Sequence, residues 1–254
     1  MKQTEQVYMY VGGRRYHYQV AGEKDAPPLV LLHGIGGSVN WWQNNISFFG
    51  EHFQTFALDL PGFGQSWRLR GIPSIEALAQ NVLNWLDFME LDQVCLVGHS
   101  MGGQIAIHLA AKYPHRIKKL VLVAPSGLRF GARERLQWAI NIPKVWVPLK
   151  QTLTIATGTL RTDLVTLGLS LQAILNDHQS VPTALARLNV PTLLLWGEAD
   201  GVVPPALGLR MLELIPSGVA RLQYVARGTH NVMYDQAVVF NQAVLDFLAT
   251  ERNL

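Results

Sequence analysis

The chain has 254 residues, of which 49% are hydrophobic and 15% charged, with a formal net charge of +3. Such a chain is globular rather than disordered, and at this length it buries about 70–75% of its unfolded surface. No dense Lys/Arg stripe points to nucleic acid, and no stretch of about 20 apolar residues free of charge predicts a membrane span.

The N-terminal segment Met1-Lys2-Gln3-Thr4-Glu5-Gln6 is polar and lacks the apolar region of a signal peptide, which gives the cytoplasm as the expected location. Residues 7–11 and 14–20 flank Gly12-Gly13, a two-residue hairpin signal. Apolar runs at 29–32 and 55–58 read as short strands, the first ending in a glycine-rich loop and the second at Asp59-Leu60-Pro61-Gly62. A helix follows, with Ser74 as cap, Glu76 at its positive end and Ile75, Leu78, Ala79, Val82, Leu83 and Leu86 on one face.

Residues 94–97 read as a strand, 101–113 as a helix and 120–124 as a strand. Cys95, the single cysteine, falls in the apolar run and reads as a small buried hydrophobe, so no internal disulfide is expected. The basic cluster at 112–119 reads as a helix C-terminus and loop. The strand-helix rhythm breaks between 128 and 187, where Pro143, Pro148 and Pro182 punctuate helices and loops. It returns with a strand at 192–196, a helix at 205–214, a strand at 221–225 and a helix at 236–249. Apolar strands alternating with helices predict a mostly parallel sheet covered on both faces. The expected organisation is an α/β core of residues 1–127 and 188–254 with a helical insertion at 128–187, after the sixth strand.

The sharpest motif is Gly98-His99-Ser100-Met101-Gly102, placed between a strand and a helix. That context is what a G-x-S-x-G nucleophile elbow requires. The glycines allow close chain approach, and the helix start aims N–H groups at developing negative charge. A serine hydroxyl needs a base, and the base needs an orienting acid. The ends of the last two core strands supply Gly197-Glu198-Ala199-Asp200 and Ala226-Arg227-Gly228-Thr229-His230.

Together with His33-Gly34-Ile35-Gly36-Gly37-Ser38 and Asp59-Leu60-Pro61-Gly62-Phe63-Gly64-Gln65-Ser66, these motifs resemble the esterase, C–C-bond-hydrolase and haloperoxidase-like group of the α/β-hydrolase fold. The resemblance covers nearly the whole chain and is weakest in the insertion. It implies the chain order nucleophile, acid, base, which assigns Ser100, Asp200 and His230. It also implies an oxyanion hole from the backbone N–H groups of Ile35 and Met101. Two positions depart from the group's pattern: Thr229 stands where glycine usually precedes the histidine, and Asp235-Gln236-Ala237 replaces a common Glu-x-Pro. Glu198 and Asp177 are alternative acids. His33 is expected to brace the oxyanion loop, His99 to point away from the site, and His108 to be a structural helix residue. His17, His52, His115 and His178 lie in no motif and read as structural or solvated.

A serine at the elbow, where dehalogenases and epoxide hydrolases of this fold carry aspartate, argues for acyl chemistry. No metal site is indicated, and no cofactor is needed. The insertion holds seven Lys/Arg against three Asp/Glu, a net +4, and a long apolar stretch from 138 to 160. It is expected to cap the site, with weak interfacial contact as a further option. Trp41, Phe63, Trp138 and Trp146 are candidate substrate contacts that core packing would explain equally well. Hydrolysis of carboxylic esters with an apolar part is the leading expectation, in a monomer or homodimer. The alternatives are C–C hydrolysis of a dienone-type substrate, with Arg129, Arg133 or Arg161 binding its acid, and a ligand receptor that keeps the triad.

Overall fold

A computed structural model describes residues 4–66, 74–131 and 164–250. The strands, in chain order, are β1 (Glu5–Val11), β2 (Arg14–Ala21), β3 (Pro28–Leu32), β4 (Gln54–Leu58), β5 (Val94–His99), β6 (Ile117–Val123), β7 (Thr192–Gly197) and β8 (Ala220–Val225). They form one sheet in the order β1-β2-β4-β3-β5-β6-β7-β8. The β1–β2 hairpin is antiparallel and turns at Gly12 and Gly13, whose φ angles of 56° and 75° suit the expected two-residue turn. β2 also runs antiparallel to β4, and every pairing from β4 to β8 is parallel.

The described helices are α1 (Ile46–Phe49), α2 (Ile75–Phe88), α3 (Met101–Lys112), α4 (Leu164–Asn176), α5 (Ser180–Leu185), α6 (Ala206–Leu214), α7 (Val232–Asp235) and α8 (Ala237–Ala249). Ser74 caps α2 as expected, its hydroxyl accepting from Ala77 N–H at 3.0 Å. Strand side chains alternate between two cores. Val30, Leu96 and Leu120 join α2, α3 and α6 on one face. Leu31, Val97 and Val121 join Trp42, Phe49 and Phe240 on the other. Both faces are therefore covered, which explains why the central strands are uniformly apolar. Cys95 is buried, and burial pushes its thiol up to about 11, consistent with an inert packing residue.

The basic cluster corrects one expectation. β6 begins at Ile117 rather than 120, so Lys118 and Lys119 are strand residues. Strand alternation turns Lys119 inward, where its Nζ donates to the carbonyls of Phe247, Leu248 and Thr250 at the end of α8. A buried cation thus satisfies carbonyls that a helix end leaves without partners.

Parallel strands all end on one edge of a sheet, so whatever follows β3, β5, β7 and β8 gathers there. That edge receives the loops carrying Gly34, Ser100, Asp200 and His230.

Candidate active site

Ser100 lies between β5 and α3 with φ 52° and ψ −116°. A non-glycine residue in such a conformation costs on the order of 1–3 kcal/mol and persists only where its surroundings over-determine it. Here its N–H donates to Val123 C=O at 3.0 Å, and its own carbonyl accepts from Gln104 and Ser126 N–H, each at 3.1 Å. Tightness explains the motif glycines: a Cβ on Gly98 would lie 2.4 Å from Gly102 O, and one on Gly102 would lie 2.5 Å from Leu32 O.

Asp200 and His230 sit thirty residues apart and meet in space. His230 Nδ1 lies 2.8 Å from Asp200 Oδ2. The other carboxylate oxygen accepts from Val202 and Val203 N–H, both at 2.8 Å. Trp196 Nε1–H holds Val203 C=O at 2.9 Å and so ties this turn to β7. A carboxylate only accepts, so Nδ1 carries the proton and Nε2 presents a lone pair. Ser100, Asp200 and His230 are 7%, 1% and 8% exposed, so any proton exchange among them is shielded from bulk water. Glu198, the alternative acid, is exposed.

The two departures from the family pattern are built into the histidine loop. Asp235 accepts from Thr229 N–H at 2.9 Å, and Thr229 Oγ1 accepts from Asn231 N–H at 3.3 Å. The loop is closed on the β7 side by Ala199 N–H to Gly228 C=O at 2.9 Å.

The loop after β3 comes against the elbow, because a Cβ on Gly34 would lie 3.0 Å from Ser100 Cβ. His33 braces it as expected. Leu60 N–H donates to His33 Nε2 at 3.0 Å, so Nδ1–H donates to Gly34 C=O at 2.7 Å. Burial holds this imidazole below its usual range, against the opposing pull of Asp59 and the Gly34 carbonyl, and so keeps it neutral. Among the described residues, no backbone carbonyl accepts from Ile35 or Met101 N–H.

Three features escaped the sequence reading. His17 is fully buried and pairs with Asp59 at 2.6 Å, while the same carboxylate accepts from Val39 and Gln65 N–H, each at 2.7 Å. Asp59 therefore links the segment after β3 to its own motif. Asp177 binds His108 at 2.7 Å and Gln104 at 2.6 Å, while the carboxylate at His230 is that of Asp200. Burial alone would raise its carboxyl, but hydrogen bonds from His108, Ser180 and Gln104 outweigh that and hold it below its usual range. Third, His99 does not point away: its Nε2–H donates to His230 C=O at 2.9 Å. Of these residues, Asp59 and His99 stood in motifs, while His17, His108 and Asp177 did not.

Of the candidate substrate contacts, Phe63 is 1% exposed, with its ring edge-on to His33. Trp41 is 8% exposed, 5.4 Å from the His99 ring. Trp138 and Trp146 lie outside the described residues, as does most of the expected cap. Among the described residues no group of three or more His, Cys, Asp or Glu could hold a metal ion, and no helix is long and apolar enough to cross a membrane.

Fold and elbow define an α/β-hydrolase, and the chain belongs to that family: residues 27–153 match its model, described as alpha/beta hydrolase fold. It is a hydrolase. Among its curated relatives, a 2-hydroxy-6-oxononadienedioate/2-hydroxy-6-oxononatrienedioate hydrolase of Paraburkholderia phymatum is 31% identical over 264 residues, covering 92% of this chain and 91% of the relative. The fold is shared with the enol-lactonase from Burkholderia xenovorans LB400, at a TM-score of 0.83 and 23% identity over 96% of this chain and all (100%) of that one. It is also shared with carboxylesterase CesB of Bacillus subtilis, at 0.73 and 22% over 97% and 92%.

Proposed function

We propose that the protein hydrolyses carboxylic esters carrying an apolar acyl or alcohol part, through an acyl-enzyme on Ser100. The observation that carries this reading is the Asp200–His230 pair, which fixes the Nδ1–H tautomer and leaves a basic Nε2 on the loop tied to the elbow. In the first half-reaction, Ser100 Oγ bonds to the ester carbonyl carbon while its proton passes to His230 Nε2. The carbonyl oxygen becomes an oxyanion, held by Ile35 and Met101 N–H. The carbon–oxygen bond to the alcohol then breaks, and His230 returns the proton to the departing oxygen. Water repeats the sequence: His230 takes its proton, its oxygen bonds to the acyl carbon, and Ser100 leaves with the proton restored.

Residues 128–187 are proposed as a cap whose apolar stretch contributes to the acyl pocket. A panel of nitrophenyl esters of increasing chain length tests the reading. Wild type should turn over medium-chain esters faster than acetate, and Ser100→Ala should lower kcat by about 10⁴–10⁶-fold. Equal rates in the two proteins would remove Ser100 from the reaction, and a strict preference for acetate would remove the apolar pocket.

A second reading is C–C bond hydrolysis of a dienone acid, favoured by the relative that is 31% identical and named for such a reaction. Turnover of a dienone acid with silence across the ester panel would select it.

A further inference from the structure

His99 is fully buried, and its ring centre lies 4.6 Å from that of His230. Its Nε2–H donates to the His230 carbonyl at 2.9 Å. On its other sides it meets the Trp41 ring and Gly34, where a Cβ would come within 3.1 Å of His99 Nδ1. A single imidazole thus touches the main chain of His230 and the loop after β3, on a residue whose backbone is joined directly to Ser100.

Its Nδ1 is buried and has no hydrogen-bond partner among the described residues. An unpaired buried ring nitrogen is unfavourable, and a leucine or phenylalanine would fill similar space without it. What an apolar side chain cannot supply is the Nε2–H. We propose that His99 is a positioning residue, whose Nε2–H sets the place of His230 relative to Ser100. The proposal rests on the triad reading above.

The charge state supports the role. Burial first, and then the neighbouring His230 and His33, hold the His99 imidazole well below its usual range, against the opposing pull of the His230 carbonyl. A neutral ring leaves Nδ1 without a proton that would need an acceptor. It also adds no like charge beside the imidazolium that forms on His230 during turnover.

The test compares His99→Leu with His99→Gln, whose side-chain amide can place an N–H near the position of Nε2–H. Three readouts are needed: kcat and KM on a nitrophenyl ester, the rate at which a fluorophosphonate labels Ser100, and the ¹⁵N imidazole spectrum of His230 in the resting protein. His99→Leu should lower kcat and the labelling rate by about 10–100-fold, the scale expected when a catalytic group is displaced by about 1 Å. KM should change little, and the His230 resonances should shift. His99→Gln should recover most of the rate and the wild-type spectrum. A folded His99→Leu protein with wild-type kcat and an unshifted His230 spectrum would overturn the proposal, as would His99→Gln behaving like His99→Leu. Where wild type neither turns over nor labels, the triad reading fails. The His230 spectrum still decides the structural claim: a shift in His99→Leu reversed in His99→Gln supports it, and no shift sinks it.

Discussion

Among the described residues there are three histidine–carboxylate pairs, buried or partly buried and of nearly the same length. His17–Asp59 spans 2.6 Å, His108–Asp177 2.7 Å and His230–Asp200 2.8 Å. Distance does not separate them. The first lies between β2 and the loop after β4, with His17 Nε2 facing the Gln65 amide at 3.5 Å. The second uses Nε2 itself to bind the carboxylate. Of the three, the third binds through Nδ1 on the loop tied to the elbow, which leaves Nε2 for the hydroxyl of the proposed reaction. A histidine becomes a candidate base through which nitrogen is committed and what the other one meets, not through having an acid beside it.

The largest effect should come from Asp200→Asn. Asparagine keeps the shape and can still accept from Val202 and Val203 N–H, but its amide imposes the wrong tautomer on His230. Ester turnover should fall by about 10⁴-fold with the fold intact, as measured by kcat and thermal melting. Turnover within tenfold of wild type would erase the distinction between the third pair and the other two.

Next comes the loop after β3, proposed to supply the oxyanion hole. Ile35→Pro deletes one N–H and should lower kcat by about 10²–10³-fold. Near-normal turnover in a folded variant would move the oxyanion hole elsewhere.

Asp59→Ala should act mainly on stability. It leaves His17 and the N–H groups of Val39 and Gln65 without their acceptor, and breaking a buried pair costs about 3–5 kcal/mol. Denaturant titration should report that loss, while residual activity per folded molecule exceeds that of Asp200→Asn. The reverse order would make His17–Asp59 the catalytic pair.

The smallest effect, and the one set by pH, belongs to Asp177→Asn. The folded carboxyl titrates below its unfolded value, so its stabilising contribution is present above about pH 4 and is lost as pH falls through the folded value. The melting temperature should be lower in the variant at neutral pH, and the gap should close on acidification below about pH 4. A gap that widens in acid would contradict the assigned direction.

Most of the sheet was legible because its strands announce themselves locally. Apolar runs such as Val94-Cys95-Leu96-Val97, bounded by glycine and polar residues, can satisfy both covered faces only in a buried strand. The start of β6 was misplaced because Lys118 and Lys119 look like a solvated helix end; the carbonyls that accept from Lys119 lie about 130 residues away in sequence, on α8. The elbow was legible because a tight strand-to-helix turn forces glycines on either side of Ser100. The Asp200 and His230 assignments came from the chain order and loop positions that the family resemblance supplies.

By itself, then, the sequence determined the alternation of strands and helices, the strained turn at Ser100 and the loops that carry an acid and a histidine. These follow from short-range periodicity and backbone sterics. Only the tertiary structure decided that Asp177 serves His108, that Asp59 binds His17, and that His99 reaches the main chain of His230. Each of those contacts joins residues far apart in the chain. Hydrogen-bond partners over such separations are chosen by how strands and helices pack, which no local pattern records.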